Sequence, residues 1–262
     1  MPESVKSALR VMQVFELITE NPRGLSFSAI QNRMGLPKSS AHALLSTMLS
    51  QRFVFLDPDS KTYTAGLRLW EAGQSFVAAT NFEKAAAPFM RATCDALNET
   101  VQLAILDGTE NVYIAKVSAD HQLTLASQVG TRLPAYATGI GKALLSGLTD
   151  DEIRRRFAGV TFTPFTRHTV SDVTSLIGAV QKVRQEHFST DHAEHTPGVY
   201  CVAMPVRDHT GEVCLGMSVS VPEARMSPEI EDKLRKVLAA QTAALSERLG
   251  YRTSGVPLEG VA

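Results

Sequence analysis

The densest group of potentially reactive side chains lies in one short segment of the chain. It combines two carboxylates, two imidazoles and one thiol, namely Asp191, Glu194, His192, His195 and Cys201. All three kinds of group bind zinc, so one interpretation is a metal site. A second interpretation is a small-molecule enzyme, in which Cys201 is a nucleophile with a histidine base or in which Asp191 does the chemistry.

The spacing supports neither chemistry strongly. The histidines and the thiol follow the pattern H-x-x-H-x5-C, which matches no strong zinc-binding motif. Nothing in the sequence marks an oxyanion site or a third residue that would orient a histidine base. We therefore expect no metal, no cofactor and no catalytic residue, and keep the enzyme that uses Cys201 or Asp191 as the alternative.

The strands that position this segment have one face of small side chains. In the predicted strand 213–221, apolar residues alternate with Cys214, Gly216, Ser218 and Ser220. In the predicted strand 199–206, Cys201 and Ala203 share one side. Such a face leaves room for a small ligand that hydroxyl and thiol groups would orient. It would equally allow a helix to pack closely, and the pattern alone does not separate these two interpretations.

The elements around these strands predict an α+β domain. Further strands are predicted at 101–107, 111–117, 123–127 and 188–191, and helices near Gly139, after Thr149, over 174–186 and from Ser227 to Leu249. Strands grouped together with helices at both ends indicate an antiparallel sheet with helices packed on it.

The N-terminal segment predicts a winged helix-turn-helix between Leu25 and Thr64. Two short helical stretches flank Gly35-Leu36-Pro37, where the glycine can adopt the positive φ that closes one helix and the proline suits the first turn of the next, which we expect to begin at Pro37. An amphipathic helix over 4–19 precedes them, and two β-prone runs about a Pro/Asp turn form the wing. A helix in this position commonly enters the DNA major groove.

Six side chains of this module are predicted to contact DNA. Ser39, Ser40 and His42 are expected to meet base edges, and Lys38, Arg52 and Lys61 to meet phosphates.

A helical run from Gly66 to about Leu97 follows the wing. Leu67, Trp70, Gly73 and Val77 share one face of its first part, and so wide an apolar surface usually needs a partner. We expect a dimer contact there, because two recognition helices are needed to read two half-sites. Packing within the domain is the alternative.

Length, charge and cysteine content fit a DNA-binding protein without requiring one. The 262 residues are enough for two domains, and a hydrophobic content of 44% suits a sizeable core. Residues 1–75 have a net charge of +2 and the remainder −3, so DNA affinity must come from more than one copy of the module. Three scattered cysteines form no disulfide framework, no apolar run would span a bilayer and no signal peptide is present, so we expect a cytoplasmic protein.

Four segments together resemble the IclR family of transcriptional regulators. They are G-L-P-K-S-S-A-H-A-L-L, Y-A-T-G-I-G-K-A-L-L, F-S-T-D-H-A-E-H-T-P-G-V-Y-C-V-A-M-P-V-R-D and S-V-S-V-P-E-A-R. The resemblance covers about Ser4 to Leu249. It implies an effector-binding domain related to GAF domains, and dimers or dimers of dimers that bind palindromic operators and sense small molecules, often carboxylates. Ala43 stands where family members often carry an arginine, which shifts base contacts to the neighbouring residues of the helix.

The resemblance also implies which residues contact the effector. They are the backbone of Gly139 and Ile140, the side chains of Asp191, Cys201, Ser218 and Ser220, and an apolar wall of Leu125, Leu133 and Val199. The N–H groups of the helix at Gly139 would favour an anion. Asp191 would then accept from a ligand hydroxyl or water, be protonated, or lie at the far end of the ligand. The bulk of Tyr136 and Ile140 favours an aromatic or larger carboxylate over the smallest ones.

We therefore predict an α+β protein that is a homo-oligomeric, ligand-responsive transcriptional regulator. The expected divisions are a winged helix-turn-helix over 1–65, a linker helix over 66–81, an effector-binding domain over 82–252 and a flexible tail over 253–262. Besides the enzyme, a DNA-binding scaffold whose C-terminal domain only dimerises stays open as an alternative.

Overall fold

The computed structural model describes residues 5–80, 82–119 and 127–251, with the backbone alone for residues 76–80. The chain divides into two compact units, Met1–Asn81 and Phe82–Ala262. The predicted apolar contact Leu125, most of the predicted strand 123–127 and the predicted tail 253–262 lie outside the described residues.

The first unit contains four helices among its described residues and a small antiparallel sheet. The helices are α1 (Lys6–Glu20), α2 (Phe27–Met34), α3 (Lys38–Ser50) and α4 (Leu67–Thr80). The strands β1 (Leu25–Ser26), β2 (Val54–Leu56) and β3 (Thr62–Ala65) pair in the order β1-β3-β2. The second and third helices and the β2–β3 hairpin form the predicted winged helix-turn-helix.

Local sequence explains where the two central helices begin and end. The Ser26 hydroxyl accepts a hydrogen bond from the Ala29 N–H and caps α2. Gly35, with a φ of 61°, ends that helix in the left-handed conformation. Pro37 is extended (ψ 143°), so α3 begins at Lys38, one residue later than predicted. Its buried residues Ala41, Leu45 and Met48 point into the core of the unit.

The second unit is a sheet with helices on both faces. Its helices are α5 (Phe82–Leu97), α6 (Gly139–Leu145), α7 (Asp150–Arg156), α8 (Val173–Glu186) and α9 (Pro228–Arg248). Its strands are β4 (Thr100–Asp107), β5 (Glu110–Val117), β6 (Arg132–Pro134), β7 (Ser189–His192), β8 (Val199–Arg207) and β9 (Val213–Pro222). They pair antiparallel in the order β6-β5-β4-β9-β8-β7. The fold is therefore α+β.

The two faces of this sheet are covered differently. On one face the apolar strand residues pack against Met90 of α5 and Leu234, Leu238 and Leu245 of α9, which form the largest core cluster. On the other face α6 packs on the small residues of the sheet. A Cβ atom at Gly216 would lie only 2.8 Å from Cγ1 of Ile140, so glycine is required for this approach. Close helix packing therefore accounts for part of the small-residue face.

Two short strands, β1 and β6, were not expected from the sequence. The helix-rich stretch from 66 to 97 forms α4, which lies where the linker helix over 66–81 was expected, and α5, which contains Pro88. The short strand β6 was not predicted, because three residues that include a proline carry no alternating pattern. Among the described residues, we find no helix with both the length and the apolar character needed to cross a membrane.

Candidate functional site

A cavity of about 360 Å³ lies on the small-residue face, at the N-terminal end of α6. Side chains of β4 to β9 and of the loop 195–198 surround it. Its lining residues are Gln102, Tyr113, Ser127, Thr131, Leu133, Thr138, Asp191, His195, Thr196, Pro197, Gly198, Val199, Cys201 and Ser220. The part of the small-residue face that α6 does not cover therefore borders an open space.

Five of the nine residues predicted to contact an effector line this cavity. They are Leu133, Asp191, Val199, Cys201 and Ser220. Gly139, Ile140 and Ser218 are buried but are not among the lining residues. Ile140 packs instead with Leu144 and Ala203 in a small apolar cluster. Leu125 lies outside the described residues.

Strand register brings the three polar groups into one row. Cys201 of β8 pairs directly with Asp191 of β7 on one side and with Ser220 of β9 on the other. Because opposite residues of paired strands point to the same face of a sheet, the carboxyl, thiol and hydroxyl groups project together into the cavity.

A chain of hydrogen bonds extends this row to β4. The Sγ atom of Cys201 lies 3.1 Å from Ser220 Oγ, and Ser220 Oγ donates to Gln102 Oε1 over 3.4 Å. The Gln102 amide donates in turn to Ser127 Oγ over 2.6 Å. Since the serine proton is used toward Gln102, the Cys201 thiol is the donor in the first bond. The chain therefore orients the Cys201 thiol and the Ser220 hydroxyl at the cavity wall.

Asp191 is a buried carboxyl at the polar end of the cavity. Burial raises the pKa of its carboxyl from 3.8 to about 6. The N–H of Glu194, which donates to Asp191 Oδ1 over 2.7 Å, opposes this rise, as do the Lys142 ammonium and the N–H of Gly139. The negative charge of Glu194 adds to it. Near pH 6 this group can therefore either accept or donate a hydrogen bond toward the cavity.

A buried ion pair holds the loop that carries Asp191. Lys142 Nζ of α6 donates to Glu194 Oε1 over 2.5 Å, and the two side chains are only 6% and 13% exposed. The carbonyl of Glu194 also accepts from Thr169 Oγ1 over 2.6 Å. Because breaking a buried ion pair is strongly unfavourable, these contacts keep the loop in place beside α6.

The geometry opposes a cysteine nucleophile. Burial raises the pKa of the Cys201 thiol, and the negative charge of Asp191 raises it further. The thiol donates to Ser220, and His192 instead lies 2.8 Å from Glu223 Oε1 and stacks on His168. A thiol whose pKa is raised stays protonated, and a protonated thiol has little nucleophilic character.

The metal interpretation gains no support from the described residues. Among them, no group of three or more His, Cys, Asp and Glu side chains is close enough together to hold a metal ion. His195 contacts the ring of Phe165 at 4.5 Å between centroids, and burial lowers the pKa of its imidazole.

Several lining residues did not figure in the sequence-based prediction. Gln102 is a buried polar residue between the apolar residues Val101 and Leu103 of β4, and that contrast could have identified it. Thr138 caps α6 through the Gly141 N–H and donates to Asn111 Oδ1. Tyr113 comes to the wall only through pairing of β5 with β4 and β6, which the sequence pattern does not specify.

The predicted DNA-reading residues of α3 lie on one accessible side of that helix. Lys38, Ser39 and His42 are exposed and Ser40 is half-buried. Ser46 and Thr47 extend the same exposed side, and Ser46 Oγ lies 3.4 Å from His42 Nδ1. Short polar side chains of this kind can approach base edges in a major groove.

The wing presents the other two predicted contacts. Arg52 precedes β2 and Lys61 lies in the turn just before β3; both are exposed and have positive φ values of 61° and 55°. The Asp57 carboxylate accepts from the N–H groups of Asp59 and Ser60 and fixes the turn between the strands. The turn therefore fixes the backbone that carries Lys61, and Arg52 lies at the other end of the hairpin.

Exposed apolar side chains occur on α4. Trp70 is 62% exposed and Leu67 is 51% exposed in the single chain. Both belong to the face predicted to make a dimer contact, and the side chain of Val77 is not described.

Both parts of the chain match one protein family. The IclR helix-turn-helix domain matches residues 7–58, and the C-terminal domain of bacterial transcriptional regulator IclR matches residues 74–247. The HTH-type transcriptional regulator XynR of Escherichia coli (strain K12) is 32% identical over 247 residues, which cover 94% of this chain and 98% of XynR.

Solved structures share the fold. The Thermotoga maritima IclR structure is 26% identical with a TM-score of 0.75, and the match covers 94% of this chain and 99% of that one. An IclR homolog from Microbacterium hydrocarbonoxydans, solved in complex with 4-hydroxybenzoate, is 21% identical with a TM-score of 0.82 and covers 93% and 98%. With two matching domains in one order and relatives that are transcriptional regulators, the chain belongs to the IclR family of transcriptional regulators, with an N-terminal helix-turn-helix domain and an effector-binding C-terminal domain.

Proposed function

We propose that this regulator binds palindromic operator DNA as a homodimer or dimer of dimers, and that a small carboxylate effector changes its affinity for the operator. The observation that carries the proposal is the cavity in the C-terminal domain, where Asp191, Cys201 and Ser220 form one polar row.

The size and lining of the cavity favour a compact amphipathic ligand. About 360 Å³ lies at the small end of the range for ligand sites. Leu133, Pro197 and Val199 supply the apolar part of the wall. An aromatic carboxylate has a matching flat apolar body and polar end. The homolog that holds 4-hydroxybenzoate supports this choice only by analogy, because it shares the fold at 21% identity.

The protonation of Asp191 decides how an anion is accommodated. A carboxylate ligand would repel an ionised Asp191, whereas a protonated Asp191 would donate a hydrogen bond to it. A pKa of about 6 makes protonation accessible near neutral pH, and a bound anion raises that pKa further. We propose that Asp191 is protonated when the effector is bound, with His195 as a further candidate donor on the wall.

The remaining predicted contacts stay in the proposal. Gly139, Ile140, Ser218 and Leu125 are proposed to support the site, with the first three forming part of the buried structure around it. Their contribution is to be measured by substitution, since none of them is a lining residue in the described part of the chain.

We propose that two copies of the DNA-binding domain act together on one operator. Ser39, Ser40 and His42 would read base edges, and Lys38, Arg52 and Lys61 would contact phosphates. A single module has a net charge of only +2, so two modules on two half-sites would supply the affinity. Because the proposed partner is operator DNA, we infer that the protein acts in the cytoplasm.

A regulator is favoured over an enzyme by the chemistry of Cys201. Its thiol has a raised pKa and donates to Ser220, which does not suit a nucleophile. We therefore propose that the ligand is sensed and not transformed.

Two experiments on the full-length chain test the proposal. A thermal-shift screen of aliphatic and aromatic carboxylates should reveal at least one compound that stabilises the protein, because a ligand of the folded state raises the melting temperature. Selection from a random duplex library should yield a sequence with two inverted half-sites. Failure of every carboxylate, or selection of a single half-site by a monomer, would contradict the proposal.

A further inference from the structure

The exposed side of α3 carries one imidazole, His42, among short hydroxyl side chains. Ala43 beside it is also exposed and offers no polar side-chain atom. A neutral imidazole carries a proton on only one of its two ring nitrogens, so one nitrogen donates a hydrogen bond and the other accepts. What His42 can recognise on a base edge therefore depends on the tautomer of its ring.

Ser46, one turn further along the helix, lies beside the Nδ1 atom of this ring. Its Oγ atom is 3.4 Å from His42 Nδ1, and residues four apart share one face of a helix. The neighbouring hydroxyls differ, because Thr47 donates to the Ala43 carbonyl and Ser50 to the Thr47 carbonyl. Among the described residues, Ser46 Oγ makes no hydrogen bond other than the one with the imidazole. The serine proton is therefore available to Nδ1.

Phe27 of α2 contacts the same imidazole. The two ring centroids are 6.3 Å apart and the ring planes are tilted by 58°. The Phe27 side chain packs against the core of the first unit, so its position is fixed from behind. Within the described part of the chain, Nε2 of His42 makes no hydrogen bond and is left for a partner outside the protein.

We propose that Ser46 is a positioning residue for DNA recognition, whose hydroxyl donates to His42 Nδ1 so that Nε2 carries the ring proton and donates to guanine. The hydrogen bond made by one ring nitrogen sets which nitrogen is protonated. In the major groove guanine presents two acceptors, N7 and O6, whereas the N6 group of adenine and the N4 group of cytosine are donors. The inference rests on the proposed operator binding and adds which base His42 recognises.

Long-range 1H–15N correlation spectra of the full-length protein at about pH 8, where imidazoles are ordinarily neutral, test the tautomer. Protonated and unprotonated ring nitrogens have distinct 15N shifts, and His42→Ala identifies the signals of this ring. We expect Nε2–H in the native protein, both tautomers in Ser46→Ala, and Nδ1–H in Ser46→Asp, because a carboxylate only accepts. Ser50→Ala removes an exposed hydroxyl of the same helix that bonds to a carbonyl, and should leave the spectrum unchanged.

Selection from a random duplex library tests the base contact. The base pair that His42 contacts is the one at which His42→Ala loses its preference. The native protein and Ser50→Ala should select guanine there, and Ser46→Ala should show a preference about tenfold weaker. Ser46→Asp should turn to adenine or cytosine, whose amino groups donate to an unprotonated Nε2.

Several results would overturn the proposal. They are a protonated Nδ1 in the native protein, a His42 spectrum that neither Ser46 variant alters, a native preference for a base other than guanine at that position, and a selection that His42→Ala or Ser46→Ala leaves unchanged. A native protein that enriches no duplex would contradict operator binding itself, and with it the guanine contact, whatever tautomer the spectra show.

Discussion

The thiol of Cys201 lies 3.1 Å from the hydroxyl of Ser220, directly across the β8–β9 pair. Both side chains are small, and both line the cavity on the face that α6 leaves uncovered. Two adjacent small side chains thus provide both the space and the polar groups of the proposed effector site. A bulkier residue at either position would remove the space without touching the DNA-binding domain.

Ser220→Leu is expected to fill the cavity. The variant should lose binding of the carboxylate found in the screen while it keeps its affinity for the selected DNA. Overpacking typically costs about 1–3 kcal/mol, so folding should be checked by thermal denaturation. Ser171→Leu, at an exposed serine, is the control and should bind the carboxylate normally. Calorimetry that finds undiminished binding in a folded Ser220→Leu protein would show that the ligand binds elsewhere.

Asp191→Asn should change the pH dependence of stability. The pKa of Asp191 is higher in the folded protein than its ordinary value of 3.8, so the folded state holds this proton more tightly. Its contribution is therefore fully present below about pH 4 and is lost as pH rises through about 6, with a total of about 3 kcal/mol for a rise of about two pKa units. Relative to the native protein, the variant should gain stability as pH rises from about 4 to about 7.

Chemical denaturation of both proteins at several pH values measures this difference. A difference in free energy of unfolding that stays constant across the range would contradict the raised pKa. Carboxylate binding offers a second readout, since the native protein should bind more weakly above pH 6 and Asp191→Asn should lose most of that dependence.

Ser40→Ala combined with His42→Ala should relax DNA sequence selectivity. Each lost base contact is worth about 1–3 kcal/mol of discrimination. Lys61→Asn should instead weaken binding to all sequences alike and reduce the salt slope by about one for each bound subunit, because each subunit loses a phosphate contact. Asparagine tolerates the positive φ at this position, which limits the effect on the wing. Anisotropy titrations with selected and scrambled duplexes distinguish these effects, and unchanged selectivity in the double variant would remove these two residues from the base-reading set.

Trp70→Glu should weaken self-association. A carboxylate in a buried apolar contact is strongly unfavourable, so the variant should shift toward a monomer and lose operator affinity. Light scattering of the native protein should give at least twice the chain mass of 28.4 kDa. Ser75→Glu adds the same charge at an exposed position of α4 outside that face and should leave the mass unchanged. A native monomer, or a Trp70→Glu protein of unaltered mass, would place the contact elsewhere.

Elements with local patterns could be predicted from the sequence, whereas the contacts between them could not. The alternation in β8 and β9 and the Ser227-Pro228 start of α9 gave the α+β domain with bounds within one or two residues. The hydrogen bond from the Gly139 N–H to the Asp191 carboxyl joins two segments that meet only in the folded domain. For the same reason the sequence did not indicate that Ile140 would pack over Gly216 or that Gln102 would reach Ser220.

The most direct test of the account is a titration of operator DNA with and without a saturating carboxylate effector. A ligand that binds the DNA-competent and DNA-incompetent forms equally cannot signal. We therefore predict a change in operator affinity that corresponds to about 1–3 kcal/mol of coupling free energy. The change should disappear in Ser220→Leu and persist in Ser171→Leu. An operator affinity that is the same with and without the bound carboxylate would contradict the central claim that the cavity beside Asp191, Cys201 and Ser220 is a sensor.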